Sequence, residues 1–428
     1  MKLSKYTIFH KYNGKNYIFH QISKALLEID NELAITLQSE NPCNTIPEPI
    51  IKSLQSQGFL IKENTDETYK IRYANIQNRY NSKLLRVTIL PTLNCNFRCW
   101  YCYEKHKTSI MTEKDSNTAL EFIKREAKIK NIETIVLDWF GGEPLLYFYE
   151  IIYPLSEKLK EWCAENNVAL KNIMTTNGSL INSDMAIKMD KIGLNQLQIT
   201  LDGDYEYYNK VKFSPTMKDS FNVIVNNIHT LCHVLENPCI ELRINYTRAN
   251  ISSTFNILDA FEKDIRKFII ISPHIVWQEI KYSSILAPKA EELQNKALEK
   301  GYSIKSQQLS HSCFVCYTEN MEQFVINYDL NVYKCTARDY DERFCIGKIT
   351  DNGIFKPNEL YYKYYITESP FMRKECLECQ LMPSCLYSQS CLQKKIENFY
   401  PKCDKNKIMK SIEDIISYKI NFKLTKAR

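Results

Sequence analysis

From residue 85 onward, apolar runs of strand length alternate with segments of helical period, and this alternation constrains the fold of the 428-residue chain more than any other feature. The predicted strands are 85–90, 135–140, 172–176, 197–201, 240–246 and 268–271. Helical stretches near 113–129, 149–166, 183–192, 219–235 and 251–263 separate them. Strands joined in this way build a parallel α/β sheet with right-handed crossovers. The site of such a sheet lies at the C-terminal ends of its strands. Past about residue 300 the alternation stops, and cysteines, tyrosines and short apolar pieces take over.

The first 84 residues follow a different pattern. Tyr6-Thr7-Ile8-Phe9 and Tyr17-Ile18-Phe19 flank Asn13-Gly14, a hairpin signal, because such residues accept the positive φ of a tight turn. The apolar spacing of Ile22, Leu26, Leu27, Ile29, Leu33 and Leu37 predicts a helix over 22–37. A short helix over 50–54, a returning strand at Phe59-Leu60-Ile61 and a polar linker over 63–72 complete a small winged-helix-like unit.

Sixteen cysteines are the compositional outlier. The N-terminus lacks the apolar stretch of an export signal, and no apolar run approaches the roughly eighteen residues of a membrane span. The expectation is therefore a cytoplasmic protein with no membrane partner, whose thiols stay reduced. The cysteines are also clustered: three fall within 95–102 and five within 376–403, as metal ligands would. Cys43, Cys163, Cys232 and Cys239, beside predicted helices and strands, read instead as small buried hydrophobes. The net charge of +6 is spread along the chain, which gives no footprint for nucleic acid.

Cys95, Cys99 and Cys102 follow the first strand of the sheet. A four-iron cubane wants four thiolates, so a loop that offers three leaves one iron open to a small molecule. The competing interpretation at this point is a zinc site whose fourth ligand lies elsewhere. Further along stand Gly141-Gly142-Glu143-Pro144, Thr175-Thr176-Asn177-Gly178, Thr200-Leu201-Asp202-Gly203 and Arg243-Ile244-Asn245-Tyr246, each at or near a predicted strand end. Together these motifs resemble the radical S-adenosylmethionine (SAM) superfamily, with its C-x3-C-x2-C signature, an aromatic before the last Cys (Tyr101) and a GGEP motif.

The resemblance implies a partial (β/α)6 TIM-like barrel over 85–300, a [4Fe–4S] cluster on Cys95, Cys99 and Cys102, and SAM as cofactor. Its cofactor contacts would be Tyr101, Gly141, Gly142, Glu143, Asn177, Asp202 and Arg243. Where relatives carry an Arg after the Asp-Gly pair this chain has Lys212, which could supply charge to the cofactor carboxylate without a bidentate fork.

Cys376, Cys379, Cys385, Cys391 and Cys403 resemble the SPASM domain, an iron–sulfur extension of radical peptide-modifying enzymes, here over 301–428. Cys316 and Cys335 bracket a strand and turn like that family's hairpin, although relatives carry Gly where Leu330 stands. The likeness implies one or two auxiliary [4Fe–4S] clusters. One would use Cys376, Cys379, Cys385 and Cys403. The other would use Cys316, Cys335 and Cys391, with Cys313, Cys345 or nothing as its fourth ligand. A four-cysteine zinc ribbon from Cys313, Cys316, Cys376 and Cys379 is the structural alternative.

The order of hairpin, helices and wing in residues 1–84 resembles the peptide-recognition element of maturases that act on ribosomally made peptides. Such elements take a leader peptide as an added strand. The function implied is modification of a precursor peptide, by thioether or carbon–carbon crosslinking, through hydrogen abstraction by a 5′-deoxyadenosyl radical. An external reductant such as flavodoxin or ferredoxin would supply the electron. Two alternatives remain open. One is an anaerobic sulfatase-maturating enzyme, which carries an Asp after the cysteine aligned with Cys335, where this chain has Thr336. The other is a catalytically silent member that only binds peptide or carries electrons.

Overall fold

The structure, a computed structural model, describes residues 1–39, 42–80, 83–215, 217–304, 317–337, 340–366, 371, 373–389, 403 and 405–426. Cys313, Cys316 and Cys391 lie outside the described residues. The chain divides into two compact units. One comprises Met1–Ser82, Gln307–Met321 and Lys363–Arg428; the other comprises Lys83–Ser306 and Glu322–Tyr362.

In the first unit, β1 (Thr7–Tyr12) and β2 (Lys15–His20) form the predicted hairpin, with Asn13 and Gly14 both at positive φ. The helix predicted over 22–37 is wrong in its first half. Lys24 takes a left-handed turn (φ 62°) and sends β3 (Leu26–Ile29) back along β2 as a third antiparallel strand. Helix α1 (Asn31–Leu37) begins only after Asp30, whose carboxylate caps the Leu33 N–H at 2.7 Å. Apolar residues on both faces of a short strand mimic a helical period.

Helix α2 (Glu48–Ser56) follows, and Leu60–Ile61 pairs with Lys2–Leu3. The predicted linker is also corrected, since Glu67 opens helix α3 (Glu67–Tyr80). Asp66 Oδ1 accepts the Thr68 N–H at 2.8 Å and caps it. Glu67 itself is buried, accepting a 2.7 Å hydrogen bond from Ser4 Oγ, with His20 Nε2 at 3.6 Å. A buried carboxylate needs such partners.

The second unit carries the site. Its parallel strands are β4 (Leu84–Ile89), β5 (Thr134–Trp139), β6 (Ala169–Thr176), β7 (Leu194–Thr200), β8 (Cys239–Tyr246) and β9 (Ile269–Ile275), paired in chain order. The alternation implied a parallel sheet, and the family resemblance its form as a partial TIM barrel. The connecting helices include α4 (Glu113–Ile129), α5 (Tyr153–Glu165), α6 (Ser183–Lys191), α7 (Tyr205–Val211) and α8 (Ser220–Val234). The helix expected over 251–263 is a 3₁₀ segment, Ser253–Asp259.

Two extensions lengthen the sheet beyond the six predicted strands, and the second contains the strand and turn expected between Cys316 and Cys335. Helix α9 (Ser283–Glu299) leads to β10 (Ser303–Ile304) beyond β9. At the other edge β11 (Gln323–Ile326) joins β4 in parallel, then turns antiparallel into β12 (Asn331–Tyr333). Leu330 makes that turn at φ 64° while buried in the core. That conformation costs a non-glycine residue about 1–2 kcal/mol, and here the buried leucine side chain offsets it.

One continuous core joins strands and helices: Val87, Ile89, Leu137, Leu197, Leu242 and Ile271 from the sheet meet Phe122, Leu159, Met189 and Ile228 from the helices. It also holds Phe97, 1% exposed, which lies between Cys95 and Cys99. Burying that ring contributes about 1.5–3 kcal/mol to anchoring the loop at the strand ends. Cys163 and Cys232 are buried as expected, whereas Cys43 and Cys239 are only partly so.

Candidate functional site

The loop after β4 is held from three directions. On one side it meets the turn after β5, where Gly142 N donates to Thr92 O (3.2 Å) and Glu143 N to Asn94 O (2.8 Å). A Cβ on Gly142 would lie 2.2 Å from Asn94 O, and one on Gly141, at φ 101°, 2.5 Å from Thr92 O. The two glycines therefore let the turn touch the backbone that leads into the cysteines. On the second side Asn96 bonds the end of β6, accepting from Asn177 Nδ2 (2.8 Å) and donating to Ser179 Oγ (2.9 Å). On the third, Arg98–Cys99 pairs antiparallel with Lys212–Phe213, Cys99 opposite Lys212.

Glu143 is fully buried and accepts from Leu145 N (3.0 Å), Thr176 Oγ1 (2.7 Å) and Asn177 N (2.8 Å). Burial pushes its carboxyl pKa up, and those donors pull it back. Its carboxylate is thus committed to locking the end of β5 to the end of β6.

Asp202, at the end of β7, organises the opposite side. Its Oδ1 accepts from Asn245 N (2.9 Å), its Oδ2 from the Tyr101 hydroxyl, and its backbone carbonyl from Asn250 Nδ2. Lys212 Nζ stands 3.5 Å from Oδ2, and both side chains are at most 5% exposed. The ammonium also faces the rings of Tyr101 (5.5 Å) and Tyr208 (5.8 Å). Arg243 Nε donates to Asn245 Oδ1 at 2.9 Å. Tyr101, Asp202, Lys212, Arg243 and Asn245 are therefore one network. Asn96 and Asn250 belong to this framework and were not singled out from sequence; no local pattern marks Asn250, whose Oδ1 accepts the Thr247 N–H, three residues back, at 2.6 Å.

Burial raises the pKa of the Cys95 and Cys102 thiols, and Cys99 adds to the rise at both. Burial is the larger cause, pushing Cys95 to about 12 and Cys102 to about 11. Cys95 Sγ accepts the N–H of Phe97, two residues on, at 3.4 Å, and Cys335 Sγ accepts that of Ala337 at 3.3 Å. Sulfurs dressed with backbone N–H groups suit thiolate ligands. A cubane takes one thiolate per iron, so its ligands stand further apart than those of a single ion, and three thiols on one loop are the number that leaves one iron open. Among the described residues, no three His, Cys, Asp or Glu side chains converge on a single-ion site.

In the other unit burial raises the Cys376 pKa, Arg373 opposes the rise, and Cys385, Cys379 and Cys403 add to it. Cys345, by contrast, donates its thiol to Gly347 O at 3.2 Å. The unit that holds Cys376 also has a cavity of about 660 Å³ lined by Lys2, Lys5, Asp66, Tyr69, Arg72 and Phe371, among others. Among the described residues, no helix is long and apolar enough to cross a membrane.

Residues 89–237 match the radical SAM superfamily. The radical SAM cyclopropyl synthase TigE of Paramaledivibacter caminithermalis is 22% identical over 360 residues, which span 70% of this chain and 74% of that protein. A cysteine-type anaerobic sulfatase-maturating enzyme of Clostridium novyi is 25% identical over 344 residues, 74% of this chain and 90% of its own. Among solved structures, native anSMEcpe with bound AdoMet has a TM-score of 0.58 at 17% identity, across 80% of this chain and 99% of that one, a likeness of fold.

Proposed function

We propose that this chain, whose residues 89–237 match the radical SAM superfamily, is a radical SAM enzyme that acts on a ribosomally made precursor peptide, forming a thioether or carbon–carbon crosslink. The observation that carries the proposal is the cysteine loop pinned at the C-terminal ends of β4, β6 and the Lys212 strand, with a three-stranded sheet in a separate unit available for a leader. Cys95, Cys99 and Cys102 would hold a [4Fe–4S] cluster, which would supply the one-electron reduction of SAM from which hydrogen abstraction at the peptide starts.

The chain's own residues hold and aim. Gly141, Gly142 and Glu143 fix the turn beside the loop, Asn177 fixes its far side, and Tyr101, Asp202, Lys212 and Arg243 form the polar wall where the cofactor would lie. Cys376, Cys379, Cys385 and Cys403 would hold one auxiliary cluster. Cys335 would join Cys316 and Cys391 at a second, with Cys313 as a further donor. Cys345, already bonded to Gly347, is the weaker candidate there. A flavodoxin or ferredoxin would supply the electron, in a cytoplasmic setting.

Leader docking falls on β3, the edge strand of the N-terminal sheet. His20 N donates to Ala25 O, and the antiparallel alternation this sets turns the backbone N–H of Glu28 away from β2. An added strand would take that group. Glu28→Pro should weaken precursor binding at least tenfold, and Glu28→Ala should not; equal binding by both removes the docking surface.

The direct test is anaerobic reconstitution with the short peptides encoded beside the gene, followed by mass spectrometry. The expected result is 5′-deoxyadenosine together with a peptide lighter by two hydrogen atoms per crosslink. Turnover of SAM with every such peptide unchanged, and with a sulfatase peptide oxidised instead, would overturn the proposal in favour of sulfatase maturation. No 5′-deoxyadenosine under several reductants would favour the silent member.

A further inference from the structure

We infer that Lys212 is the buried cation that sets the reduction potential of the cluster held by Cys95, Cys99 and Cys102. The inference rests on that cluster assignment and not on the identity of the peptide.

The placement comes from the backbone. The two-residue ladder puts Lys212 opposite Cys99 and Phe213 opposite Arg98, so the lysine is fastened to the cysteine loop itself. Its side chain is 5% exposed, and water cannot screen the charge as it would at a surface. The nearest anion, Asp202, does not claim the lysine for itself. Asp202 already accepts from Asn245 N and from the Tyr101 hydroxyl, and its Oδ2 stands 3.5 Å from Nζ, an ion pair rather than a short hydrogen bond. The rings of Tyr101 and Tyr208 flank the ammonium with their negative faces.

Cys99, directly across the ladder from Lys212, is one of the three cysteines that would hold the cluster. Reduction of a cubane adds one electron and no compensating proton, so the reduced state is the more negative by one charge. A fixed cation beside the ligating thiolates stabilises that state and raises the potential; net charge and hydrogen bonding around the sulfurs are known levers on it. A lysine used only to fill space would be a costly choice, because a buried pair is often replaceable by apolar residues of similar volume.

The test compares wild type with Lys212→Met, close in volume and neutral, and Lys212→Arg, which keeps the charge. Each is reconstituted anaerobically, and the midpoint potential is followed by electron paramagnetic resonance without SAM. The signal of this cluster is identified by its loss in the Cys95→Ala/Cys99→Ala/Cys102→Ala protein. Lys212→Met should shift the reduced-to-oxidised ratio at least tenfold toward oxidised, a fall of about 59 mV for a one-electron couple, while Lys212→Arg stays near wild type.

An unchanged potential in a fully loaded Lys212→Met protein overturns the inference, whether or not SAM affinity falls. A weaker grip on SAM alone would mark Lys212 as a carboxylate ligand only. Equal falls in both variants also overturn it, since shape rather than charge would then be responsible. Should Lys212→Met fail to take up iron, Asp202→Asn provides the same test with the opposite sign. Removing the opposing anion should raise the potential, and no rise would end the argument.

Discussion

The Asn177 side-chain amide donates to Asn96 Oδ1 across 2.8 Å, so the end of β6 holds the loop between Cys95 and Cys99. Asn96 returns the restraint by donating to Ser179 Oγ at 2.9 Å. Both asparagines are only partly buried, and each bond contributes about 1 kcal/mol net. Asn96→Ala should leave the barrel folded but speed iron loss to a chelator roughly fivefold or more, in proportion to that energy. Iron release under anaerobic conditions, with far-ultraviolet circular dichroism as the control, measures it; wild-type release kinetics would show that the pair does not position the loop.

Gly142→Ala makes a harsher demand. The added methyl would lie 2.2 Å from Asn94 O and 2.6 Å from Asn94 C, both backbone atoms that cannot rotate aside. Either the turn after β5 or the run into Cys95 must move. Because over-packing of this kind costs about 1–3 kcal/mol, and occasionally more, the variant should fold with a lower melting temperature and a sharply reduced iron content. Normal iron content would mean that the loop tolerates the displacement.

Much of this arrangement is legible in the sequence. Strands from Leu85 to Ile271 stand out because parallel strands buried on both faces read as continuous apolar runs. The order of cysteines, GGEP, Asn177, Asp202 and Arg243 marks the strand ends. Tertiary contacts decide the rest. Leu26–Ile29 looks helical because both its faces meet apolar neighbours. Glu67–Arg72, the first part of helix α3, looks like linker because polar residues dominate it and the partner of Glu67, Ser4, is 63 residues away. Resemblance alone makes Lys212 a cofactor ligand; only the pairing with Cys99 reveals what else its charge faces. The two glycines suggest room for a ligand, yet the space they open is occupied by the chain's own residues 92–94.

Glu143→Gln tests whether this carboxylate is structural. The carboxylate only accepts, and it faces three donors: Leu145 N, Thr176 Oγ1 and Asn177 N. A glutamine amide turns one of its two oxygens into an NH2, which must then point at an N–H or O–H donor in a buried site. One hydrogen bond is lost and one donor stranded, at a cost of about 1–3 kcal/mol. Urea unfolding should show that loss; stability equal to wild type would mean that the carboxylate is not needed to lock β5 to β6.

Asp138 offers a pH signature independent of iron. It lies on β5 beside Arg86 (3.6 Å) and Thr88, and burial pushes its pKa up to about 6 despite both neighbours. A carboxyl with a raised pKa in the folded state binds its proton more tightly there than in the unfolded chain. Its contribution is therefore fully present below about pH 4 and is lost as the pH rises through about 6. The difference between the two states is worth about 3 kcal/mol at one pKa unit per 1.36 kcal/mol. Asp138→Asn cannot ionise and keeps a hydrogen-bonding group near Thr88. Other carboxylates titrate in both proteins, so the informative quantity is wild-type stability minus that of Asp138→Asn, measured by urea unfolding of the iron-free protein from pH 4 to 7. That difference should fall by about 3 kcal/mol across the window. A flat difference, or one that rises with pH, would show that Arg86 keeps Asp138 ionised throughout.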